Sequence, residues 1–578
     1  MTNREIAKVL REMSAYYEME SIPFKPAAYE RAASAVGSHP EEAAALFAAG
    51  GRPALRAIPG VGEGIAAHIE SLLAKGSFKE YAAFRKKYPL DLDELTSLEG
   101  VGPKTAKALF TKLGVRTLAD LEKAARDGQI SKLPRFGSKS EEKILKSLEL
   151  KRHAGDRRLL GDVLPLATRL AAALEAVPGV RQAVPAGSVR RRQETIGDLD
   201  ILVATDDPES VVAVFTGFPE VAEVLEHGPT LTAVRLKNGL RADVRLIPFD
   251  SWGAALQHFT GGKEHNVELR KYAIEKGFKL NEYGLWRGGE RLASRTEADV
   301  YAALGLPYIE PEIRTASGEI EAALAGRLPA LIPYGSLRGD LQVQTAWTDG
   351  GATIAGMAAA ARKLKLEYVA VTDHSRTLAM AGGLDEKKLA EQGREIDRLN
   401  AAAPDNFRVL KGAEVNILKD GRLDLDPAAL AALDVVGAAV HSHFTLSRAE
   451  QTRRVLAAVR DPNVDIIFHP TGRLIGRRDP YDLDIDEIFK EAARTGTALE
   501  IDAVPERTDL RDTLVRRAVG LGVKLVIDSD AHLPAHLQNL DLGVAVARRG
   551  WAEKKDVLNT RSLPDLKKWL KSPKSGRK

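Results

Sequence analysis

Asp198, Asp200 and Asp243 are the residues of this chain best suited to hold hard divalent cations. The first two close a run, Gly187-Ser188-Val189-Arg190-Arg191-Arg192-Gln193-Glu194-Thr195-Ile196-Gly197-Asp198-Leu199-Asp200, that joins a phosphate-binding turn to a metal-binding strand. Side chains alternate faces along a strand, so Asp198 and Asp200 share one face while Leu199 and Ile201 enter a core. Gly187 and Ser188 offer backbone N–H groups and a hydroxyl where no side chain blocks approach, and Arg190, Arg191 and Arg192 add permanently charged, forked donors. Together these can hold a metal triphosphate. A solvated strand edge beside surface arginines would read the same way, but the strand Arg241-Ala242-Asp243-Val244-Arg245-Leu246 adds a third carboxylate between two arginines on one face. Three carboxylates on neighbouring strands suit a two-metal site.

A second constellation lies downstream. Asp373-His374, Glu414, His441-Ser442-His443, His469, Glu500, Asp502 and Asp530-Ala531-His532 lie at or just past the ends of short apolar runs. Those runs, Tyr368 to Thr372, Val409 to Ala413, Val435 to Val440, Val464 to Phe468, Ala498 to Ile501 and Lys524 to Ile527, alternate with helical stretches and predict a parallel sheet closed into a barrel. Ligands at the carboxyl ends of barrel strands form a site rather than a scattered surface.

The first 150 residues read as helices: a capping box at Thr2 to Glu5 opening a helix with Ile6, Val9, Leu10 and Met13 inward, then Ala27 to Val36 and Glu41 to Ala49. Between helical patterns, Ile58-Pro59-Gly60-Val61-Gly62-Glu63-Gly64 is repeated as Leu98-Glu99-Gly100-Val101-Gly102-Pro103-Lys104. Glycines at Gly60, Gly62, Gly64, Gly100 and Gly102 let backbone approach a phosphate, and the following helix aims unpaired N–H groups at it, with Lys104 beside them. Two such hairpins point to sequence-independent DNA binding.

Length and composition set limits on these readings. At 578 residues, several domains are expected. The absence of cysteine rules out disulfides and thiolate metal sites. No apolar run reaches the roughly 18 residues needed to span a bilayer, and Met1 to Glu5 opens no signal peptide, so a cytoplasmic protein without membrane contact is expected. The net charge of +4, from 84 basic and 80 acidic residues, does not itself imply nucleic-acid binding.

The combination of Gly-Ser-x-Arg-Arg, Gly-Asp-x-Asp and a later Arg-x-Asp-x-Arg strand closely resembles family X DNA polymerases. That resemblance implies a multidomain α/β chain: helical helix-hairpin-helix domains over residues 1–90 and 91–150, then a polymerase beta-like nucleotidyltransferase palm with thumb, the palm over 151–253 and a nucleotide-selection subdomain over 254–318, and a linker over 319–335. In the palm, Pro165 to Ala176 is expected as a helix. By resemblance Asp198 and Asp200 bridge two Mg2+ or Mn2+ ions, Asp243 binds the one that activates the primer, and Ser188 and Arg191 hold pyrophosphate. The same resemblance assigns nucleotide contacts to Gly187, Gly197, His258, Phe259, Gly261 and Asn266, and DNA contacts to Arg241, Arg245 and Arg270. The family's sugar-selecting turn has another aromatic where this chain has His258. His68 stands at the place of the family's lyase lysine, and an imidazole cannot form the usual Schiff base, so lyase activity is not expected.

Residues 336–578 resemble the PHP (polymerase and histidinol phosphatase) domain, a distorted seven-stranded (β/α)7 barrel that binds three metals and hydrolyses phosphoesters. Thr372-Asp373-His374-Ser375, His469-Pro470-Thr471-Gly472-Arg473 and Ser529-Asp530-Ala531-His532 carry the match. The family's first motif, His-x-His, is replaced by Gln342-Val343-Gln344. Asp349, His374, Glu414, His441, His469, Asp530 and His532 remain for one or two Zn2+ or Mn2+ ions, and a weakened or lost 3'-5' exonuclease or phosphoesterase activity is expected. The leading expectation is a monomeric polymerase acting on gapped or primed DNA with deoxynucleoside triphosphates in base excision repair. A template-independent or RNA-directed nucleotidyltransferase, which would not need two hairpins, and a DNA-end-binding scaffold are the alternatives.

Overall fold

Thr2 and Glu5 close the expected capping box, each side chain bonding the other's backbone N–H, and the helix Asn3–Met19 buries Ile6, Val9, Leu10 and Met13. The computed structural model describes every residue except Ser38, Pro40, Glu99, Arg135, Gly155, Asp156, Pro404, Asp405 and Lys578, and the side chains at 4, 139, 150–154 and 575. Glu99, inside the second expected hairpin, therefore falls outside the description.

The next helices run Lys25–Gly37 and Ala43–Arg56, the latter passing the expected end at Ala49 through a break at Gly51. Both hairpins form. Glu63–Lys75 and Pro103–Leu113 follow Gly60 and Gly100, whose φ values of +80° and +90° are those a side chain disfavours. One apolar cluster runs from Ile6 to Leu148, so both hairpins rest on a continuous core.

The palm is a five-stranded sheet in the order Val180–Pro185, Asp198–Thr205, Arg241–Ile247, Leu231–Leu236, Val221–His227. Only the central pair, Asp198–Thr205 and Arg241–Ile247, is parallel. Its covering helix spans Leu160–Glu175 rather than starting at Pro165, which lies inside it. Reading the proline as a helix opener, its usual place, shortened the expected element.

The helix Trp252–Thr260 leads into Lys263–Glu275 and a three-stranded sheet between Lys279 and Ala293. The linker segment carries the helix Glu319–Leu324 and is anchored at both ends: the Glu319 carboxylate meets the buried His265 ring at 2.7 Å, and Ile332 N–H donates to the Ala552 carbonyl.

Beyond it lies a parallel barrel of seven strands in sequence order, from Gly339–Val343 to Leu525–Asp528. Six answer to the expected apolar runs. The first, Gly339–Val343, has no uniform apolar run because Asp340 and Gln342 interrupt it, yet all five of its residues are buried. First and last strands close on each other through Leu341 N–H to Asp528 Oδ1 at 2.7 Å and Gln344 N–H to the Ala531 carbonyl.

Candidate active sites

Parallel register sets Asp200 directly beside Asp243 and Asp198 beside Arg241. Leu199 and Ile201 are fully buried, as alternation requires, and Asp198 is exposed. Burial, reinforced by Asp198, pushes the Asp200 carboxyl up to about 6, with Arg245, whose Nε stands 3.8 Å from Oδ1, opposing the shift. Asp243 is buried and accepts both Arg241 Nε at 2.8 Å and Nη2 at 3.2 Å. Among the described residues, ligand triplets with all atoms within 4.8 Å of one another occur only in the barrel, not among these three carboxylates.

The turn that should take phosphate packs onto the same strand. Gly187 has φ +52°, and a methyl group there would lie 2.7 Å from Asp200 Oδ2, so the turn tolerates only glycine on both counts. Ala186 N–H donates to the Asp200 carbonyl at 2.8 Å. Ser188 Oγ is buried without a hydrogen-bond partner, a costly state unless a ligand supplies one. Gly197 is crowded by Arg157, whose Nη1 would lie 2.9 Å from an added Cβ.

The three arginines separate in role. Arg190 is committed to Glu297, at 2.9 and 2.6 Å, and to Thr260 Oγ1; it is part of a buried ion-pair network with Arg314 and not a free phosphate donor. Arg192 lies over the Tyr334 ring. Arg191 alone of the three keeps to the site, anchored by Nη1 on the Thr260 carbonyl at 2.6 Å, its charge opposed by burial and favoured by Asp200. Spacing alone could not separate them, because Glu297 lies over a hundred residues away.

His258, Phe259, Gly261 and Asn266 gather at the end of the helix Trp252–Thr260. Asn266 Nδ2 donates to the His258 carbonyl at 2.6 Å and Oδ1 accepts from Gln257 Nε2 at 2.9 Å, while an added Cβ on Gly261 would strike Asn266. Arg270 Nη2 meets His258 Nδ1 at 3.1 Å, and Arg245 lies over the Phe259 ring. Burial and then Arg270 lower the His258 pKa.

At the hairpins, Gly62 and Gly102 are N-caps without a side-chain cap, so the first N–H groups of both helices stay open. Gly64 follows in the first turn, and Lys104 is exposed beside Gly102. His68 is engaged by Tyr29 Oη at 2.7 Å and stacked on Phe78. Reversing charge at the second hairpin with Lys104→Glu is expected to weaken gapped-duplex binding about tenfold at low salt and flatten its salt dependence, as an anisotropy titration against salt would show.

The barrel draws together all seven ligand candidates. Glu414 is the hub: His374 Nδ1 at 3.2 Å, His441 Nε2 at 2.9 Å and His469 Nε2 at 2.8 Å surround it. Burial opposes its charge, but His374 and His441 hold the carboxyl well below the usual range. Asp349 Oδ1 reaches His374 at 3.6 Å and His532 at 3.7 Å, and Asp530 Oδ1 lies 3.7 Å from His532. Two ligand triplets result, Asp349/His374/His532 and His374/Glu414/His441. Gln344 donates Nε2 to Glu414 Oε2 at 2.9 Å, and the buried Gln342 amide has no partner at either end.

Glu500 and Asp502 are fully buried, Glu500 accepting the His469 backbone N–H at 2.6 Å, and their carboxyls are raised well above the ordinary range by burial and neighbouring acids. Sequence reading missed their companions. Asp340 accepts from Ser529 and Arg507 meets Asp502 at 3.4 Å; a charged residue inside a strand, as at Asp340, was the available signal.

The chain matches the DNA polymerase beta thumb over residues 255–315, a helix-hairpin-helix domain over 1–78 and a SAM-like helix-hairpin-helix tandem over 92–151. It is 37% identical over 576 residues, 99% of this chain and 100% of the relative, to a Bacillus subtilis (strain 168) protein named DNA polymerase/3'-5' exonuclease PolX. The chain belongs to the family X DNA polymerases. It is further 25% identical to DNA polymerase lambda of Rattus norvegicus over 54% of this chain and 56% of that protein. A probable phosphatase of Thermoanaerobacter sp. (strain X514) is 29% identical over 236 residues, 38% of this chain and 89% of that protein. This family X polymerase thus joins hairpin, palm and thumb elements to the seven-stranded PHP barrel in one chain.

Proposed function

We propose that this DNA-directed DNA polymerase fills short gaps during repair by two-metal nucleotidyl transfer, with Asp198, Asp200 and Asp243 as the metal-binding carboxylates. The juxtaposition that carries the reading is Asp200, beside Asp243 in register and in contact with the Gly187-Ser188 turn. The residues fit divalent cations: Asp200, its carboxyl pushed up to about 6 by burial, lies against Gly187, and the next residue, Ser188, has an orphaned buried hydroxyl. Mg2+ or Mn2+ bound there supplies positive charge to the attacking and leaving oxygens. Ser188 and Arg191 take the triphosphate; Asp243, which accepts both Nε and Nη2 of Arg241, would hold one of the ions. His258, Phe259, Gly261 and Asn266 form the floor under the incoming nucleotide. The two hairpins grip DNA backbone on either side of the gap, while Arg245 and Arg270 face the duplex.

Linkage gives the sign of the pH dependence. A carboxyl whose folded pKa exceeds its unfolded value supports the fold at low pH and loses that contribution as pH rises through about 6. A cation must displace that proton, so Mg2+ affinity at the palm falls about tenfold per pH unit below about 6. Calorimetric titration of the parent chain, with Asp200→Asn as the blank, measures this dependence.

The PHP barrel fits fewer ions than its resemblance implies. Its two ligand triplets suit one or two Zn2+ or Mn2+ ions, but the first strand presents amides, and Gln344 turns its donor end toward Glu414. A weakened or lost phosphoesterase follows. Among the described residues no helix is long and apolar enough to cross a membrane; a cytoplasmic monomer completes the proposal. Incubation with a 5'-phosphorylated gapped duplex, with and without nucleotides and template strand, tests both sites. Templated extension with little shortening is expected; extension without template would favour the template-independent alternative.

A further inference from the structure

Glu194 lies six residues past Ser188, on the loop that joins the phosphate turn to the metal strand. Its partners come from the barrel. Arg473 donates Nη2 to Oε1 at 2.6 Å and Nη1 to Oε2 at 3.2 Å, a fork-on-fork pair, and Arg549 adds Nη2 to Oε1 at 3.4 Å. Arg549 also donates Nη1 to the carbonyl of Arg192, a residue held in the left-handed region at φ +55°. All three side chains are sequestered, at 17%, 9% and 2% exposure for Glu194, Arg473 and Arg549.

The loop transmits this grip in both directions. Gln193 N–H, next to Glu194, donates to the Ser188 carbonyl at 3.0 Å, and Arg192 N–H donates to Val189. Glu194's own carbonyl accepts from Leu160 N–H, the start of the palm's covering helix. On the barrel side, Arg473 ends the turn that begins at His469, the residue bonded to Glu414, and its Nη2 is fixed by the Thr508 carbonyl at 2.6 Å. Arg549 is likewise pinned by Asp512 at 2.8 Å. Charge-assisted, bidentate bonds of this kind specify geometry as well as energy.

We propose that Glu194, clamped by Arg473 and Arg549, is a positioning residue of the polymerase site: the PHP barrel holds the Ser188–Arg191 turn in the shape that receives the triphosphate. This assignment rests on the polymerase reading above. It gives the barrel a role in nucleotide binding that does not depend on its own hydrolytic activity. It also gives a reason for Arg473 to face the palm from a strand-end turn of the barrel.

The test uses the full chain. Glu194→Gln preserves shape but removes the charge that both arginines meet, and Arg473→Lys keeps charge but loses the fork. For each, KM for the nucleotide, kcat, gapped-duplex affinity and melting temperature are measured. Loosening the turn should raise KM for the nucleotide about tenfold while kcat stays within about twofold, with DNA affinity unchanged. Arg473→Lys should fall between the parent and Glu194→Gln. A fall in melting temperature with parental KM in both variants means a purely structural staple and overturns the proposal. If Glu194→Gln does not fold, Arg473→Lys decides alone by the same KM criterion. Failure of the parent chain to extend a primer would instead overturn the polymerase reading, and the proposal with it.

Discussion

Asp200→Ala is expected to reduce primer extension about a thousandfold or more, equivalent to at least about 4 kcal/mol of lost transition-state stabilisation. Asp200 has no substitute: its register neighbour Asp243 is occupied by Arg241, and Asp198 lies at the exposed start of the strand. The fold should survive. Leu199, Ile201 and Val203 carry the strand's packing, and above pH 6 the change removes a desolvated charge. The melting temperature of the metal-free variant should therefore equal or exceed the parent's at pH 7 to 8, and its affinity for gapped duplex should persist because the hairpins are untouched. Single-turnover extension on a gapped duplex measures the loss; a rate within tenfold of the parent would remove Asp200 from the reaction and favour a DNA-binding scaffold.

The second large effect is a gain. Gln342→His combined with Gln344→His should restore two imidazole ligands to a barrel that already assembles Glu414, His374, His441, His469, Asp349, Asp530 and His532. An imidazole presents a lone pair, whereas the Gln344 amide presents N–H to Glu414 and the Gln342 amide is buried without a partner. Each restored ligand is expected to raise metal affinity or activity about tenfold to a hundredfold, the range seen when metal surroundings are altered. Metal analysis of the purified double variant should show additional bound ions, and Mn2+-dependent shortening of single-stranded DNA should rise correspondingly. Three tightly bound ions and vigorous digestion in the parent would contradict the weakened barrel, as would a double variant that gains neither ions nor activity.

Local patterns predicted local structure well. Alternation placed Leu199 and Ile201 inward with Asp198 and Asp200 on the other face, and the capping box and both glycine hairpins formed where spacing put them. Six barrel strands were apparent from apolar runs. The missing one, Gly339–Val343, escaped because Asp340 and Gln342 are polar residues that only a closed barrel can bury. Pro165 misled the boundary of the palm helix because a local rule met a tolerant tertiary setting.

Residue chemistry and order by themselves pointed to the family, to Asp198 and Asp200 on one strand face with Asp243 on a neighbouring strand, and to amides at Gln342 and Gln344, because residue type and strand periodicity are local properties. Only the tertiary structure separated the surroundings of the three adjacent arginines. Arg190 is claimed by Glu297, Arg192 lies over Tyr334 and Arg191 remains beside Asp200. It alone also joined Glu194 to Arg473 and Arg549 across some three hundred residues. Charge pairing over such separations depends on where packing brings each side chain and on what that packing excludes from water, and neither is encoded in spacing along the chain.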